Sequence, residues 1–323
     1  MKLKKKEIKK IRGDASHREF YRKKNKFRNS IIVYTKKEKE KNLLIYDCIN
    51  KILLKNKILA PELYSQNYEK NYIEIQDFGD QSMFIEIKKN KKNRLHLFKK
   101  IILLLIDIQK IKEKKSKNFN NKNYQIPIYK KRDILMEAEL FCDWYVPDVI
   151  HKEQVKDLNK KIKKEIKLIL SNIKLKNNFF VHRDFHVSNL MLFKNKIGVI
   201  DSQDALIGNI SYDLASLIDD VRLKTSKKLK NSIYKYYIAS NKKKFNKNFF
   251  KNDFEILSIL RNLKIIGIFT RLANRDKKKK YLKLIPYAWE LIELRINNNP
   301  LFTSLKKLLD DNFPKKIRII NEN

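Results

Sequence analysis

The chain has 323 residues, 42% of them hydrophobic, and its 75 Lys and Arg residues against 36 acidic ones give a formal net charge of +39. The length and the hydrophobic share predict a folded globular protein with a substantial core. The longest apolar run, residues 101–106, is far shorter than the ~20 residues of a membrane span, so we expect no membrane association.

The positive charge is mostly lysine and is spread along almost the whole chain, together with abundant Asn and Ile. An AT-rich genome enriches Lys, Asn and Ile at surface positions that tolerate substitution. The positive charge is therefore explained without a dedicated nucleic-acid site, and we expect none. So positive a field still attracts phosphorylated ligands. Cys48 and Cys142 are far apart and lack metal-ligand spacing, and the basic start lacks the apolar core of a signal peptide. These features predict a cytoplasmic protein.

The first quarter of the chain shows short β-rich runs around one amphipathic segment. Apolar residues between Leu43 and Leu53 recur with a period close to 3.6 and predict a helix. Polar turns separate four predicted strands, at 19–22, 30–35, 63–66 and 72–76. The result is a lobe of order β-β-α-β-β.

Beyond Gly79 the pattern is mostly helical. Helices are predicted at 94–111, 131–144, 153–173, 212–223, 227–237, 253–270 and 281–297. The interruption is residues 179–200, where an apolar strand and a loop precede two short apolar runs around a polar turn, which predicts a β-hairpin. The fold class is therefore α+β, with a small β-rich lobe at 1–76 and a larger, mostly helical lobe at 77–323.

The stretch VHRDFHVSNLML, residues 181–192, contains most of the candidate catalytic and metal-binding residues. Asp184 lies in the loop after the first strand, Asn189 closes that loop, and Asp201 follows the second hairpin strand. Amide and carboxylate oxygens at neighbouring strand ends suit Mg²⁺, which leaves Asp184 to accept a proton. This arrangement and its spacing match the phosphoryl-transfer loop His-Arg-Asp-x4-Asn. We predict Asp184 as the catalytic base, Asn189 and Asp201 as metal ligands, and His182 as a support that bonds backbone near Asp201.

These motifs, with the continuation at Gly208 and Asp213, resemble the aminoglycoside phosphotransferase and choline kinase-like superfamily. More narrowly, the chain is similar to bacterial kinases of the anomeric hydroxyl of N-acetylmuramate and N-acetylglucosamine in cell-wall recycling. The blocks that carry this likeness are GDASHREFYR (13–22), QDFGDQS (76–82), EAELFCDWYV (137–146), DSQDALIGNISYDLASLIDD (201–220) and LKIIGIFTRLANRDKKKKYL (263–282). The resemblance implies a bilobal protein-kinase-like fold and an ATP- and Mg²⁺-dependent small-molecule kinase.

The resemblance also implies roles for individual residues. Asp213 would brace the catalytic loop, or alternatively cap its helix. Nucleotide contacts would come from a turn over the phosphates and from a strand backbone that binds adenine: Gly13, Ala15 and Ser16, and Glu74, Ile75 and Gln76. Acceptor contacts would come from polar side chains and one aromatic ring: Glu137, Glu139, Trp144, His186, Gln203, Asp204 and Arg271. The alternatives are that His186 fills the loop and that Trp144 belongs to the core.

Kinases carry a phosphate-binding lysine on the third strand, but the third predicted strand here, SIIVYT, has none. Lys36 or Lys37 could reach the phosphates, although each is more simply explained as a surface charge. Ser202-Gln203 after the metal Asp replaces Phe-Gly and argues against a protein kinase. One alternative is an aminoglycoside, choline-like or other small-alcohol kinase. Another, of a different class, is a catalytically silent kinase-like scaffold or polyanion-binding protein. A sugar-1-phosphate nucleotidyltransferase is the expected partner in the pathway.

Overall fold

The computed structural model describes residues 8–11, 18–24, 28–36, 42–243, 245–297 and 299–319. The chain divides into two compact units, the first formed by Met1–Pro127 with Phe179–Ile207 and the second by Ile128–Asn178 with Gly208–Asn323. Within the described ranges, no helix is both long enough and apolar enough to cross a membrane. The predicted boundary between lobes at Gln76 stays a prediction.

The first unit contains an antiparallel sheet of five strands: β1 (Ile8–Ile11), β2 (Arg18–Lys23), β3 (Ser30–Thr35), β4 (Leu63–Asn67) and β5 (Tyr72–Gln76). Their order is β1-β2-β3-β5-β4, and α1 (Asn42–Lys55) packs on the sheet through a cluster of buried residues. Val33, Tyr46 and Ile73 belong to this cluster. The predicted strands and helix are present. The additional strand β1 reads IKKI, and its central lysines hide the alternation that marks a strand.

The remainder of the first unit adds α2 (Met83–Lys89), α3 (Arg94–Ile108), the short pair β6 (Lys115–Lys117) and β7 (Asn123–Gln125), and the strands β8 (Phe179–Val181), β9 (Leu190–Phe193), β10 (Lys196–Val199) and β11 (Leu206–Gly208). Strands β9 and β10 form the predicted hairpin. Lys194 and Asn195 make its turn with φ of 47° and 62°, the left-handed pair that suits the twist of a tight hairpin.

The second unit is helical: α4 (Lys131–Ala138), a π-helix (Phe141–Tyr145), α5 (Val146–Val149), α6 (Lys152–Ser171), α7 (Tyr212–Ile218), α8 (Lys227–Ser240), α9 (Lys247–Asn274), α10 (Ile285–Ile296), α11 (Thr303–Asn312) and α12 (Lys315–Arg318). The helix predicted at 131–144 is broken by the π-helix, and the one predicted at 253–270 is 28 residues long. Helix α9 is buried on several faces, so it lacks the polar stripe from which its ends could be predicted.

A buried ionic cluster stabilises the second unit. The carboxylate of Asp219, 1% exposed, accepts hydrogen bonds from Arg295 at 2.8 and 2.9 Å and from the hydroxyl of Ser258 at 2.6 Å, and Lys230 lies 3.2 Å away. Burial alone would raise the pKa of Asp219, but Arg295 and Lys230 hold it below its ordinary value. The carboxylate therefore stays charged, and it ties α8, α9 and α10 together.

Candidate active site

The loop that carries Asp184 begins at the end of β8. His182 is fully buried, and its Nε2 atom lies 3.1 Å from the carbonyl oxygen of Ile200. This is the backbone contact expected for His182, whose supporting role stays a prediction. Arg183 has a left-handed backbone with φ of 76°, which turns the chain sharply before Asp184. Asp184 is thus half-buried at the start of a tight loop.

Asn189 closes the same loop. Its Nδ2 atom donates to the carbonyl oxygen of Asp184 at 3.0 Å, and its backbone N–H donates to the carbonyl of His186 at 2.9 Å. Its own carbonyl accepts a hydrogen bond from the backbone of Ile200 at 3.0 Å, which holds the loop against the β9–β10 hairpin. Because Nδ2 is a donor, only Oδ1 of this side chain is able to bind a cation.

Asp201 follows the hairpin in a left-handed conformation with φ of 63°. The next residue, Ser202, is fully buried and donates its hydroxyl to Oδ1 of Asn50 at 2.6 Å, while Nδ2 of Asn50 donates to the carbonyl of Pro61 at 3.0 Å. Helix α1 therefore anchors the segment after Asp201. The non-glycine left-handed backbone is a costly conformation that such contacts must stabilise.

The carboxylate of Asp201 forms an ion pair with Arg18 of β2. The same guanidinium donates through Nη1 to Oε1 of Gln203 at 2.8 Å, and Nε2 of Gln203 donates to Asp204 at 2.7 Å. Arg183, in the loop that carries Asp184, lies 3.6 Å from Asp204. The structure thus brings the candidate residues Asp201, Gln203 and Asp204 into one polar network with two arginines.

The donor set at this hairpin fits a magnesium ion. Asn189 offers an amide oxygen and Asp201 a carboxylate, and Mg²⁺ takes oxygen ligands while keeping several waters. Among the described residues, no group of three or more His, Cys, Asp or Glu side chains is placed to hold a metal ion. A site here would therefore use two protein ligands, with phosphate and water oxygens completing the coordination shell.

Of the candidate nucleotide contacts, Gly13, Ala15 and Ser16 lie outside the described residues. Strand β5, which holds Glu74 and Ile75, is paired with β3 on one edge and β4 on the other, and the N–H of Gln76 donates to the carbonyl of Glu62 at 2.9 Å. The backbone at Glu74 and Ile75 is thus internal to the sheet, and the strand ends at Gln76. Adenine binding by this segment stays a prediction.

The chain after β5 is held by Arg22 of β2. Its guanidinium contacts Asp77 at 2.6 Å and donates to Asp80 at 2.8 Å, and these carboxylates raise the pKa of Arg22. Asp77 also accepts a hydrogen bond of 2.8 Å from the N–H of Gly79, whose φ of 79° is a conformation that glycine adopts without strain. The turn after the strand is therefore well defined.

In the second unit, Glu137 of α4 accepts hydrogen bonds from the hydroxyl of Tyr129 and from Nζ of Lys264, the latter at 2.7 Å. The hydroxyl of Tyr129 lies 3.3 Å from that of Tyr212 at the start of α7. The side chains of Glu137 and Lys264 are 16% and 12% exposed, so the pair is mostly shielded from water. Asp213 is buried in the first turn of α7.

Helix α9 and the segment from α4 to α5 run in the same direction. Three contacts join them in chain order: Lys264 with Glu137, Gly267 with Leu140, and Asn274 with Asp148. Arg271 lies on α9 between Gly267 and Asn274, and Trp144 is a half-buried residue of the π-helix. Burial, and then the charge of Arg275, lowers the pKa of Arg271, and its buried Nε has no hydrogen-bond partner among the described residues.

The last two candidates contrast in burial. Glu139 lies 3.5 Å from Lys163, which also pairs with Asp143 at 3.3 Å, and this is an ordinary surface arrangement. His186 is 5% exposed and lies within the catalytic loop.

Neither Arg18 nor Lys264 is among the site residues predicted from the sequence. Arg18, Phe20 and Arg22 alternate along β2, so they share one face of the strand, and Phe20 packs on the buried cluster. Charged residues on the core-facing side of a strand indicate buried ion pairs, and this pattern is visible in the sequence alone. Lys264 carries no such signal because its helix is surrounded by lysine-rich segments.

The sequence matches the profile of the phosphotransferase enzyme family over residues 7–240. It is 25% identical over 312 residues to the N-acetylmuramate/N-acetylglucosamine kinase of Neisseria meningitidis, a match that covers 93% of this chain and 90% of that protein. Among solved structures, an amicoumacin kinase in complex with AMP-PNP, Ca²⁺ and its ligand Ami has a TM-score of 0.64 at 12% identity, over 90% of each chain. An ethanolamine kinase of Plasmodium vivax has a TM-score of 0.58 at 15% identity, over 90% of this chain and 82% of that one. These likenesses confirm the predicted kinase-like α+β fold.

Proposed function

Because the chain belongs to the phosphotransferase enzyme family and uses an alcohol group as acceptor, we propose that it is an ATP- and Mg²⁺-dependent kinase of an amino sugar. The acceptor is the anomeric hydroxyl of N-acetylmuramate or N-acetylglucosamine. The observation that carries this proposal is the 25% identity, over 93% of the chain, to a kinase named for these two sugars. The loop contacts of Asp184 and Asn189 support it.

In the proposed mechanism, Asp184 accepts the proton of the sugar hydroxyl as the hydroxyl oxygen bonds to the γ-phosphorus of ATP and ADP leaves. Hydrogen bonds from Asn189 and from the backbone of His186 to the carbonyl of Asp184, both 3.0 Å, limit the movement of this residue. Asn189 and Asp201 would hold Mg²⁺, which would neutralise charge on the phosphates. Rigid loop contacts matter because phosphoryl transfer depends mainly on positioning and electrostatics.

Acceptor recognition is proposed for polar side chains that the sequence predicts as acceptor contacts. In the second unit, Arg271 binds the carboxylate of N-acetylmuramate, for which its partially buried guanidinium and unsatisfied Nε are suited. Glu137, held by Lys264, accepts a hydrogen bond from a sugar hydroxyl or amide. In the first unit, Gln203 and Asp204 offer further amide and carboxylate groups next to Asp201.

A panel of acceptors tests the substrate assignment. With MgATP, we expect kcat/KM for N-acetylmuramate or N-acetylglucosamine to exceed that for choline and for an aminoglycoside by about 100-fold or more, because a site built for sugar hydroxyls rejects molecules that leave its polar groups unpaired. Phosphorus–proton coupling at the anomeric position in the product identifies the modified hydroxyl. Asp184→Asn is the inactive control.

Two results of the panel would decide against the proposal. Preference for choline or an aminoglycoside would assign the chain to another small-alcohol kinase of the family. Absence of turnover with every acceptor, together with tight and steeply salt-dependent binding of a polyanion, would favour the silent scaffold or polyanion-binding alternative.

Asp201→Asn tests the metal assignment. The amide keeps the shape of the side chain but loses its charge, so we expect the enhancement of ATP binding by Mg²⁺ to fall by about tenfold or more, as loss of a metal-supporting group typically does. Calorimetric titration of ATP with and without Mg²⁺ measures this ratio. An unchanged ratio would remove Asp201 from the metal site.

The product of this reaction would be a sugar 1-phosphate, which is a substrate for nucleotidyl transfer. We therefore propose that a sugar-1-phosphate nucleotidyltransferase consumes it in the same pathway, in the cytoplasm where ATP is available. Coupled turnover of the product with such an enzyme and a nucleoside triphosphate checks this placement, and failure of the product to react would contradict it.

A further inference from the structure

The third strand of the sheet carries no cation. Kinases of this fold commonly place a lysine on that strand, where it reaches the nucleotide phosphates. Here β3 reads SIIVYT from Ser30 to Thr35, and Lys36 just after it is exposed. A phosphotransferase of this kind still needs positive charge at the phosphates, so another residue must supply it.

Arg18 has the geometry for this task. It lies on β2 directly opposite Thr35 of β3, so it occupies the strand next to the one that lacks the lysine. Its side chain is only 9% exposed, whereas that of its partner Asp201 is 39% exposed. The guanidinium is thus held inside the unit while it faces the carboxylate proposed to bind metal.

The surroundings keep Arg18 in place. Its guanidinium lies 5.5 Å from the ring centroid of Phe20 and donates to Gln203 at 2.8 Å. Tyr46 of α1 is buried nearby, and burial raises its pKa to about 12, with the charges of Arg18 and Asp201 acting on it in opposite directions. An arginine fixed in this way presents a planar fork that binds a carboxylate or a phosphate equally well.

We propose that Arg18 is the phosphate-binding cation of this protein and that it exchanges partners. Arg18 pairs with Asp201 in the structure, and it would bind the phosphates of ATP when Asp201 binds a metal ion. This inference rests on the proposed use of MgATP, and it goes beyond it by assigning the missing cation. It also makes Arg18 a competitor of the metal ion for one carboxylate.

The exchange predicts two effects of opposite sign in Arg18→Gln. Without nucleotide, the carboxylate of Asp201 loses its competing cation, so Mn²⁺ used as a probe binds about tenfold more tightly. With nucleotide, the phosphates lose a charged hydrogen-bond donor, so the affinity for MgATP falls by about 10- to 100-fold. A residue that only stabilised the fold would weaken both kinds of binding or neither.

The experiment measures free Mn²⁺ by electron paramagnetic resonance and MgATP binding by calorimetry, on the full chain without any acceptor. Arg28→Gln is the matched control, since Arg28 stacks 3.7 Å from the ring centroid of Tyr64 and belongs to the same unit. We expect the control to bind both ligands as the wild type does. Neither readout depends on the acceptor, so the acceptor assignment can fail in the sugar panel while Arg18 is still judged.

Wild-type affinity of Arg18→Gln for MgATP, or Mn²⁺ binding no tighter than that of the wild type, would overturn the proposal. If Arg18→Gln does not fold, as judged by thermal unfolding, Arg18→Lys replaces it. Lysine keeps a charge for Asp201 but loses the bidentate fork, so MgATP should bind about tenfold more weakly while Mn²⁺ binding is unchanged. Wild-type MgATP affinity in that variant would equally contradict the assignment.

Discussion

Replacing Asp184 with Asn lowers kcat for the preferred acceptor by about 10²- to 10⁴-fold, because the amide cannot accept the proton of the attacking hydroxyl. The affinity for MgATP stays near the wild-type value, since the proposed metal contacts belong to Asn189 and Asp201. Steady-state kinetics and calorimetric titration of MgATP measure the two quantities on the same preparation.

In this variant, the structure distinguishes loss of the catalytic base from distortion of the loop. Nδ2 of Asn189 and the backbone N–H of His186 donate to the backbone carbonyl of Asp184, so Asp184→Asn leaves both of these 3.0 Å contacts in place. Asp107→Asn is the matched control, because Asp107 is half-exposed and pairs with Lys110 on the surface. Full turnover by either Asp184→Asn or Asp184→Ala would refute the assignment of Asp184 as the base.

Substituting Gly267 with Ala destabilises the protein by about 2 kcal/mol or more, even though Ala is favoured over Gly in a helix interior by about 1 kcal/mol. A Cβ atom at Gly267 would lie 2.3 Å from both the carbonyl carbon and the carbonyl oxygen of Leu140. These are backbone atoms next to the π-helix, so they cannot rotate away. Helix α9 must therefore move outward, which disturbs the packing of both segments.

Gly198→Ala is the control for this substitution. Its added Cβ would lie 2.6 Å from the ring of Phe78, which is a side chain that is able to turn, so the cost should remain within about 1 kcal/mol. Urea unfolding of both variants gives the two free energies. Equal losses of stability, or a Gly267→Ala variant as stable as the wild type, would show that α9 does not approach Leu140 this closely.

Much of the fold was predictable because its patterns are local. Alternation in β2 and β3, the helical period of α1, and the polar turn at Lys194 and Asn195 each occupy a few consecutive residues. The boundaries at α9 and the π-helix are among the most strongly misplaced. A helix buried on several faces has no polar stripe, and a π-turn depends on what packs beside it, here Gly267.

In the candidate site, too, the features that depend on neighbouring residues were predictable. Asp184, Asn189 and Asp201 were predictable because their spacing is set by one loop and one hairpin, which the chain builds from neighbouring residues. The contact between His182 and Ile200 follows from the same hairpin. The roles of all these residues stay predictions that the variants above test.

The fold class and the chemistry of phosphoryl transfer were predictable from the sequence because both depend on short-range patterns, while the catalytic loop stays a prediction. The pairing of Arg18 with Asp201 across 183 residues, and of Lys264 with Glu137 across 127, is visible only in the folded chain. In a chain with 75 basic residues, composition offers no way to choose which cation is buried beside a carboxylate. That choice is made by packing, which shields a few ion pairs from water and leaves the remaining charges to the solvent.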